Sequence, residues 1–435
     1  MDTSTQGGQP VNRTVEKGKT LLAEGPSSVT IVSGKAEVFG STVNAGNKIV
    51  IREGKRLPFA TQENTVFDIS SGGNAGIEEI EGSTIPASWK TASQGLLNVQ
   101  TRPAVAIVLG NVDSGKTSFT TYLLNRLVKE KKKTAILDGD LGQSDVGPPC
   151  TVAYTFVRRQ LTDLFNLETK QVRFIGVSSP AGLIDKVINA LSTLKSEIVQ
   201  QNPDYIVVDT DGWVEGEDAV YYKTKLVETL CPDIVFMLQQ KEEMAPLLNT
   251  LEKFNKIAVD SPAAISQRDR EKRKNLRELG YVKYLKNAKV QSYPLSWLRI
   301  EESQPIGLDR IRENMKEPKK LNELFGMKPL HVVEFRDRIS VIIGRRRWIG
   351  QDNIKKVEES TRKKVVITRK GEEEGLLTGL YDTQKKFLGI GILQEIDFKR
   401  KVLKILTPVS GEISTVVVGK VKLDKNLREI PALNE

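Results

Sequence analysis

The stretch AVAIVLGNVDSGKTSFTTYLLNRLVKE, residues 104–130, decides the fold. Ala104 to Leu109 are apolar without alternation, the pattern of a strand buried on both faces. They lead into Gly110, Asn111, Val112, Asp113, Ser114, Gly115, Lys116, Thr117 and Ser118, and Gly110 to Thr117 satisfy G-x-x-x-x-G-K-[ST]. A helical stretch follows, which is the context the motif needs. Glycine lets the backbone curl so that its N–H groups face phosphate oxygens, and the helix N-terminus adds a favourable dipole. In such a loop Lys116 bridges the β- and γ-phosphates of a nucleotide, and Thr117 offers its hydroxyl to magnesium. A chance glycine turn ending in Lys-Thr is the competing reading, and the flanking strand and helix disfavour it.

About twenty residues on, ILDGDLGQSD (136–145) places Asp138 and Asp140 at the end of another apolar run. Such acids hold magnesium for a motor, gate a GTPase switch, or take a proton from a substrate hydroxyl. A GTPase would carry Asn-Lys-x-Asp, and the nearest stretch, NKIAVD, sets Asp260 two positions too far along. A motor ATPase would end its strand on an adjacent acid pair. A strand ending at Asp138 leaves Asp140 in a loop over the nucleotide, where it can order the water around magnesium and accept a hydroxyl proton. Asp138 reads equally well as a turn former.

The texture of the chain changes twice. Residues 21–98 are short, partly alternating β runs punctuated by glycine, the pattern of a small antiparallel sandwich or barrel, and SWKTASQGLLNVQTRP (88–103) reads as a loop leading out of it. From 99 to 298 apolar strands alternate with helical segments, so a mainly parallel sheet covered by helices is expected. From 299 to 435 short strands with glycine turns return. The expected class is α/β, a central P-loop domain between an N-terminal β-sandwich-like domain and a C-terminal β-rich one.

The 435 residues exceed a single core and fit two or three domains. Apolar content of 39% with 28% charged residues is that of an ordinary globular protein. No apolar run approaches the roughly 18 residues of a membrane span. Residues 1–20 are polar without the layout of a signal peptide, so a disordered start, a cytoplasmic location and no membrane partner are expected. Cys150, Cys231 and the single His331 cannot assemble an ordinary zinc site. His331 reads as structural.

The net charge of +10 concentrates in residues 262–290, with nine Lys/Arg against three Asp/Glu. Arg268, Arg273 and Arg277 are spaced five and four apart and share one face of a helix. A solvated amphipathic face is the bland reading of such a run. GRRRWIG (344–350) is a second basic cluster, compatible with single-strand binding or with a surface hairpin.

GNVDSGKT, DGDLGQSDVGPP, FIGVSSPAG (174–182), TDGW (210–213) and the arginine run at 268–277 occur in an order that resembles the polynucleotide 5′-hydroxyl kinases. That family includes the kinase subunit of the mRNA cleavage factor, the pre-ribosomal-RNA processing kinase and compact archaeal members, which this chain resembles best. The flanking stretches VTIVSGKAEVFG, KRLPF and GLLTGLYDTQKKFLGIGIL also look like the family's outer domains.

The resemblance implies transfer of the γ-phosphate of ATP, with Mg2+, to the 5′-hydroxyl end of RNA and/or DNA, and protein partners in RNA processing. It makes Lys116 and Thr117 the ATP and magnesium residues and Asp140 the acid that orients or deprotonates the hydroxyl, with Gln143 beside it. Thr210 and Trp213 become a clasp on the reacting phosphate and substrate end; a tryptophan face there can stack on a terminal base, although a core tryptophan is the alternative. Arg268, Arg273 and Arg277 become a lid near 264–280, with Arg270 and Lys272 as substitutes after a one-turn shift. Ser178 and Ser179 hydrogen-bond a backbone phosphate or cap a helix. Glu24 or Arg56 contributes to covering the adenine. Since the family includes members without turnover, an ATP-holding scaffold of an RNA-processing complex is the alternative, and a P-loop ATPase that remodels nucleic acid is a further one.

Overall fold

The computed structural model describes residues 11–73, 75–264, 268–302 and 319–431. It forms two compact units. One runs to Arg173 and from Ser179 to Arg277; the other takes Phe174–Ser178 and continues from Glu278.

The first unit opens with nine short strands: β1 Val11–Val15, β2 Lys19–Glu24, β3 Ser27–Ser33, β4 Lys35–Val38, β5 Ser41–Asn44, β6 Lys48–Ile51, β7 Arg56–Thr61, β8 Thr65–Ser71 and β9 Ile77–Glu81. They make two antiparallel sheets, β1-β8-β3-β6 and β5-β4-β7-β2-β9. In β3 and β8 every second residue is buried, so Val29, Ile31, Phe67 and Ile69 fill the space between. Strand pairing therefore starts at Val11, within the segment 1–20 expected to be disordered, because Val11 to Val15 find partners on β8. Residues 1–10 lie outside the described ones.

The expected loop at 88–103 is in large part a helix, α1 Ala87–Leu97. Trp89, Ala92 and Leu96 line its buried face at helical spacing, and the Trp89 Nε1 donates to the Asp260 carbonyl at 2.9 Å. Trp89 meets Phe119 edge-on, with ring centroids 5.2 Å apart.

Then come β10 Ala104–Gly110, α2 Lys116–Lys129, β11 Thr134–Gly139, β12 Thr151–Val157, β13 Gln171–Phe174, α3 Ile184–Val199, β14 Tyr205–Thr210, α4 Glu217–Leu230, β15 Ile234–Gln239, α5 Ala245–Thr250, β16 Lys256–Asp260 and α6 Arg270–Tyr284. The sheet order is β13-β12-β11-β14-β10-β15-β16. β11, β14, β10, β15 and β16 are parallel, and β12 turns back antiparallel on β11. All six residues of β11 and of β14 are buried, which is why these strands read as unbroken apolar runs. β14 thus lies between the strand that opens the phosphate loop and the strand that ends in the Asp138 motif. The C-terminal ends of all three strands converge, the position in which open α/β sheets carry their ligands.

The second unit is β-rich. One mostly antiparallel sheet runs in the order Lys289–Pro294, Val402–Thr407, Phe387–Asp397, Leu376–Tyr381, Thr415–Leu423 and Arg299–Glu302. A smaller one joins His331–Glu334, Arg338–Ile343 and Lys364–Arg369, and Val357 of the helix Gln351–Thr361 packs into its core. His331 stacks on Phe398 at 5.9 Å, in keeping with a structural role. Among the described residues no helix is long and apolar enough to cross a membrane.

Candidate active site

β10 delivers the chain at Gly110, and the loop reverses through two left-handed positions, Asp113 at φ 55° and Gly115 at φ 93°. Glycine suits the second, since it carries no Cβ to clash there. α2 starts at Lys116 with no side-chain cap, so its first-turn N–H groups are available to an anion. The Lys116 ammonium donates to the Asn111 carbonyl at 2.6 Å, and burial holds its pKa below the ordinary lysine value against the pull of Asp140 and Asp209. Ser114 Oγ is buried without a hydrogen-bond partner, a polar atom left for a phosphate oxygen.

Asp140 follows directly on β11. Asp138, at the strand end, is the loop's organiser: its Oδ1 accepts from the Asp140 N–H at 3.0 Å, and its Oδ2 from the N–H groups of Asp145 and Val146 and from Ser144 Oγ at 2.9–3.0 Å. Asp140 in turn accepts the N–H groups of Gly142 and Gln143 on Oδ1, at 2.9 and 2.8 Å, which fixes the direction of Oδ2. Burial and then the nearby Asp211 push its carboxyl above the ordinary value, closer to that of a useful proton acceptor. The same loop is tied to the N-terminal strands. Asp145 is paired with Arg52 and, at 2.8 Å, with Lys55, while Arg52 also reaches Asp163 at 2.8 Å.

Asp209, on the neighbouring β14, sits beside Val108 in register, with Thr117 near enough to its carboxyl to act on its ionisation. Burial raises its pKa to about 6, with Lys116 and Thr117 acting the other way. An apolar strand beside the phosphate-loop strand, carrying an acid at its C-terminal end, is where P-loop proteins place a magnesium-holding carboxylate. Asp209 ends the run YIVVD, but only the strand order, which puts β14 beside β10, singles it out. Thr210 is buried, and its hydroxyl donates to the Val108 carbonyl at 2.8 Å, so that hydroxyl ties β14 to β10. Gly212 closes against the phosphate loop: a Cβ there would sit 2.7 Å from the N, Cα and Cγ2 of Val112. Trp213 is partly exposed and stacks on Tyr222, centroids 5.9 Å apart.

Arg268 and Arg273, expected in a lid, meet the phosphate loop at Asp113. The Arg268 N–H donates to Asp113 Oδ2 at 3.0 Å, and Arg273 Nη1 lies 3.3 Å from the same oxygen. Gln143 Nε2 donates to the Arg273 carbonyl at 2.9 Å, joining acid loop to α6. Arg277 is one turn further along α6 and partly exposed. Asn111, Val112, Asp113, Ser114, Gln240, Glu243, Arg268 and Arg273 line a cavity of ≈ 300 Å³. Ser178 belongs to the second unit, and Ser179 is exposed; α3 begins only at Ile184, so neither caps it. Glu24 and Arg56 pair with each other on adjacent strands at 2.5 Å.

Fold and site define a P-loop nucleotide-dependent protein whose acid loop and basic α6 helix meet the phosphate loop. Residues 110–287 match the family model of the P-loop of the mRNA cleavage and polyadenylation factor CLP1. The polyribonucleotide 5′-hydroxyl-kinase of Methanocaldococcus jannaschii is 29% identical over 343 residues, covering 77% of this chain and 91% of the relative. That of Pyrococcus furiosus is 29% identical over 354 residues, covering 80% and 96%. The chain is thus related to the polyribonucleotide 5′-hydroxyl-kinases, as its motifs imply, with archaeal members among its relatives. A solved structure of Clp1p with Pcf11p has the same fold, with a TM-score of 0.67 at 14% identity, covering 95% of this chain and 98% of that one.

Proposed function

We propose that the protein is an ATP-dependent polynucleotide 5′-hydroxyl kinase acting on RNA and/or DNA ends in the cytoplasm, with residues 99–298 as its kinase domain. The observation that carries this reading is Asp140, anchored through Oδ1 by two backbone N–H groups and within the electrostatic reach of Lys116. The phosphate loop and α2 hold the triphosphate. Asp140 Oδ2 takes the proton of the 5′-hydroxyl as its oxygen bonds to the γ-phosphorus; the bond to the bridging oxygen breaks, and ADP leaves. Thr117, Asp209 and Asp140 suit a magnesium ion, which when bound neutralises charge on the phosphates. Lys116 and the lid arginines, Arg268, Arg273 and Arg277, spread positive charge around the transferring group. Trp213 stacks on the end of the strand, with Gln143 and Ser179 as polar groups of the same unit to support it, while Thr210, whose hydroxyl is held by the Val108 carbonyl, sets the strand that leads to Trp213.

Protein partners of RNA processing fit the same reading. A second reading, an ATP-holding scaffold, shares the phosphate loop but has no use for Asp140. Label transfer from γ-labelled ATP with magnesium onto matched 5′-hydroxyl RNA and DNA strands separates them, with Lys116→Ala as control. Label on the strand, absent in the control, is expected. Bound ATP without transfer would favour the scaffold, and strand-stimulated phosphate release without label would point to a remodelling ATPase.

A further inference from the structure

Trp348 is the most exposed large hydrophobic residue among those described, at 73%. Its exposure is imposed by its neighbours. Ile343, which ends one strand, and Ile349, next to Trp348, are both buried in the core under the helix Gln351–Thr361, so the turn between them is pinned at both ends. The Arg347 N–H closes the turn on the Gly344 carbonyl at 2.8 Å. With Ile349 turned inward, Trp348 must point out. GRRRWIG is therefore a strand-to-helix turn and not a hairpin.

Three arginines precede this indole in the turn. Arg345, Arg346 and Arg347 are all exposed, and none forms an ion pair with the described residues. The Arg369 guanidinium lies 5.0 Å from the Trp348 ring centroid and holds the ring in place. The carboxylates on the facing turn are Glu372, 3.5 Å from Arg369, the exposed Glu374 beside Gly371, opposite Arg345, and the buried Glu373, which accepts the Gly371 N–H. Four arginines, Arg345, Arg346, Arg347 and Arg369, against the exposed Glu374, the paired Glu372 and the buried Glu373 leave the exposed turn positive. An exposed π-face that directly follows three unpaired arginines in one turn matches a base and its neighbouring phosphates. It suits an extended single strand better than a duplex, whose bases are stacked away.

We infer that residues 345–348, with Arg369, form a second docking surface for single-stranded nucleic acid, on the second unit, which binds the body of the strand. The inference rests on the kinase reading for its substrate class, and its partner is RNA rather than protein. Strand length then becomes a determinant of affinity. A dinucleotide with a 5′-hydroxyl does not need this surface, while a long strand uses it.

The test uses the full chain, Trp348→Ala, Trp348→Phe, and a triple variant with Arg345, Arg346 and Arg347 each changed to Ala. Anisotropy of a long single-stranded RNA labelled at its 3′ end reads binding, and KM and kcat are measured on that strand and on a dinucleotide. Trp348→Ala is expected to weaken long-strand binding about tenfold and to raise KM for that strand alone, with kcat unchanged. Trp348→Phe should recover most of the loss, and the arginine triple variant should flatten the salt dependence. Unchanged long-strand binding in Trp348→Ala and the triple variant overturns the inference and leaves the turn to a protein partner. An equal loss on the dinucleotide also overturns it. If the wild-type protein transfers no label but Trp348→Ala still weakens strand binding, the kinase reading falls and the docking surface stands.

Discussion

The Lys223 ammonium lies 3.0 Å from Asp211 Oδ2 and 2.9 Å from the Asp211 carbonyl, with no exposed surface of its own. Asp211 also accepts the Tyr222 hydroxyl at 3.0 Å and the Trp213 N–H at 2.9 Å. One buried cation thus sets the turn that presents Trp213. Removing one member of a buried pair leaves the other charge unmatched, which costs about 3–5 kcal/mol. Lys223→Met should destabilise the protein by that order in urea unfolding and raise KM for the strand more than for ATP. Adding Asp211→Asn should restore part of the stability. A double variant no more stable than the single one would refute the pairing.

Asp145 supplies a pH dependence. Burial alone would raise its pKa, but Arg52 and Lys55 beside it hold the carboxyl well below the usual range. A depressed carboxylate pKa stabilises the fold above the unfolded value of about 3.9, and that contribution fades as pH falls through the folded one. Asp145→Asn should therefore lose about 3–5 kcal/mol at neutral pH, with the gap to wild type narrowing in acid. Urea midpoints over a pH series check it; a gap that stays constant into strong acid would exclude this pairing as the cause.

Gly212→Ala should damage nucleotide binding. The added Cβ meets two backbone atoms of Val112 at 2.7 Å, so the phosphate loop must shift. Overpacking of this kind costs about 1–3 kcal/mol, and ATP affinity should fall by about tenfold or more. Val112→Ala in the same chain should not rescue it, because only one of the three close atoms belongs to a side chain. ATP titration of the two variants decides.

Asp140 and Asp209 both suit magnesium, but only Asp140 is proposed to take the hydroxyl proton, so their variants should differ. Asp140→Asn should lower the rate of transfer by about 10²–10⁴ while sparing ATP binding. Asp209→Asn should instead raise the magnesium concentration needed for half-maximal rate. Wild-type turnover in Asp140→Asn would remove the proton-acceptor role.

The phosphate loop, the strands around it and the β-rich flanks were legible because their signals are local: a motif, a period, a glycine spacing. Asp209 was hidden because its place beside β10 depends on strand order, which no local pattern encodes. The role of Asp138 was open until the loop closed around it. Thr210 matched its motif, but its hydroxyl turned out to donate to a neighbouring strand. α1 was missed in a polar stretch because Trp89 hydrogen-bonds a carbonyl 171 residues away. The Arg52–Asp145 pair spans 93 residues, a separation at which one sequence carries no signal.

Arg268 and Arg273 already hold an anion, Asp113. A triphosphate reaching these guanidinium groups must displace a carboxylate that belongs to the chain itself, so capture is an exchange rather than an addition. We expect its rate to follow how readily Asp113 lets go: stopped-flow mixing with ATP should be faster for Asp113→Asn than for wild type, and an unchanged rate would mean that the arginines join later.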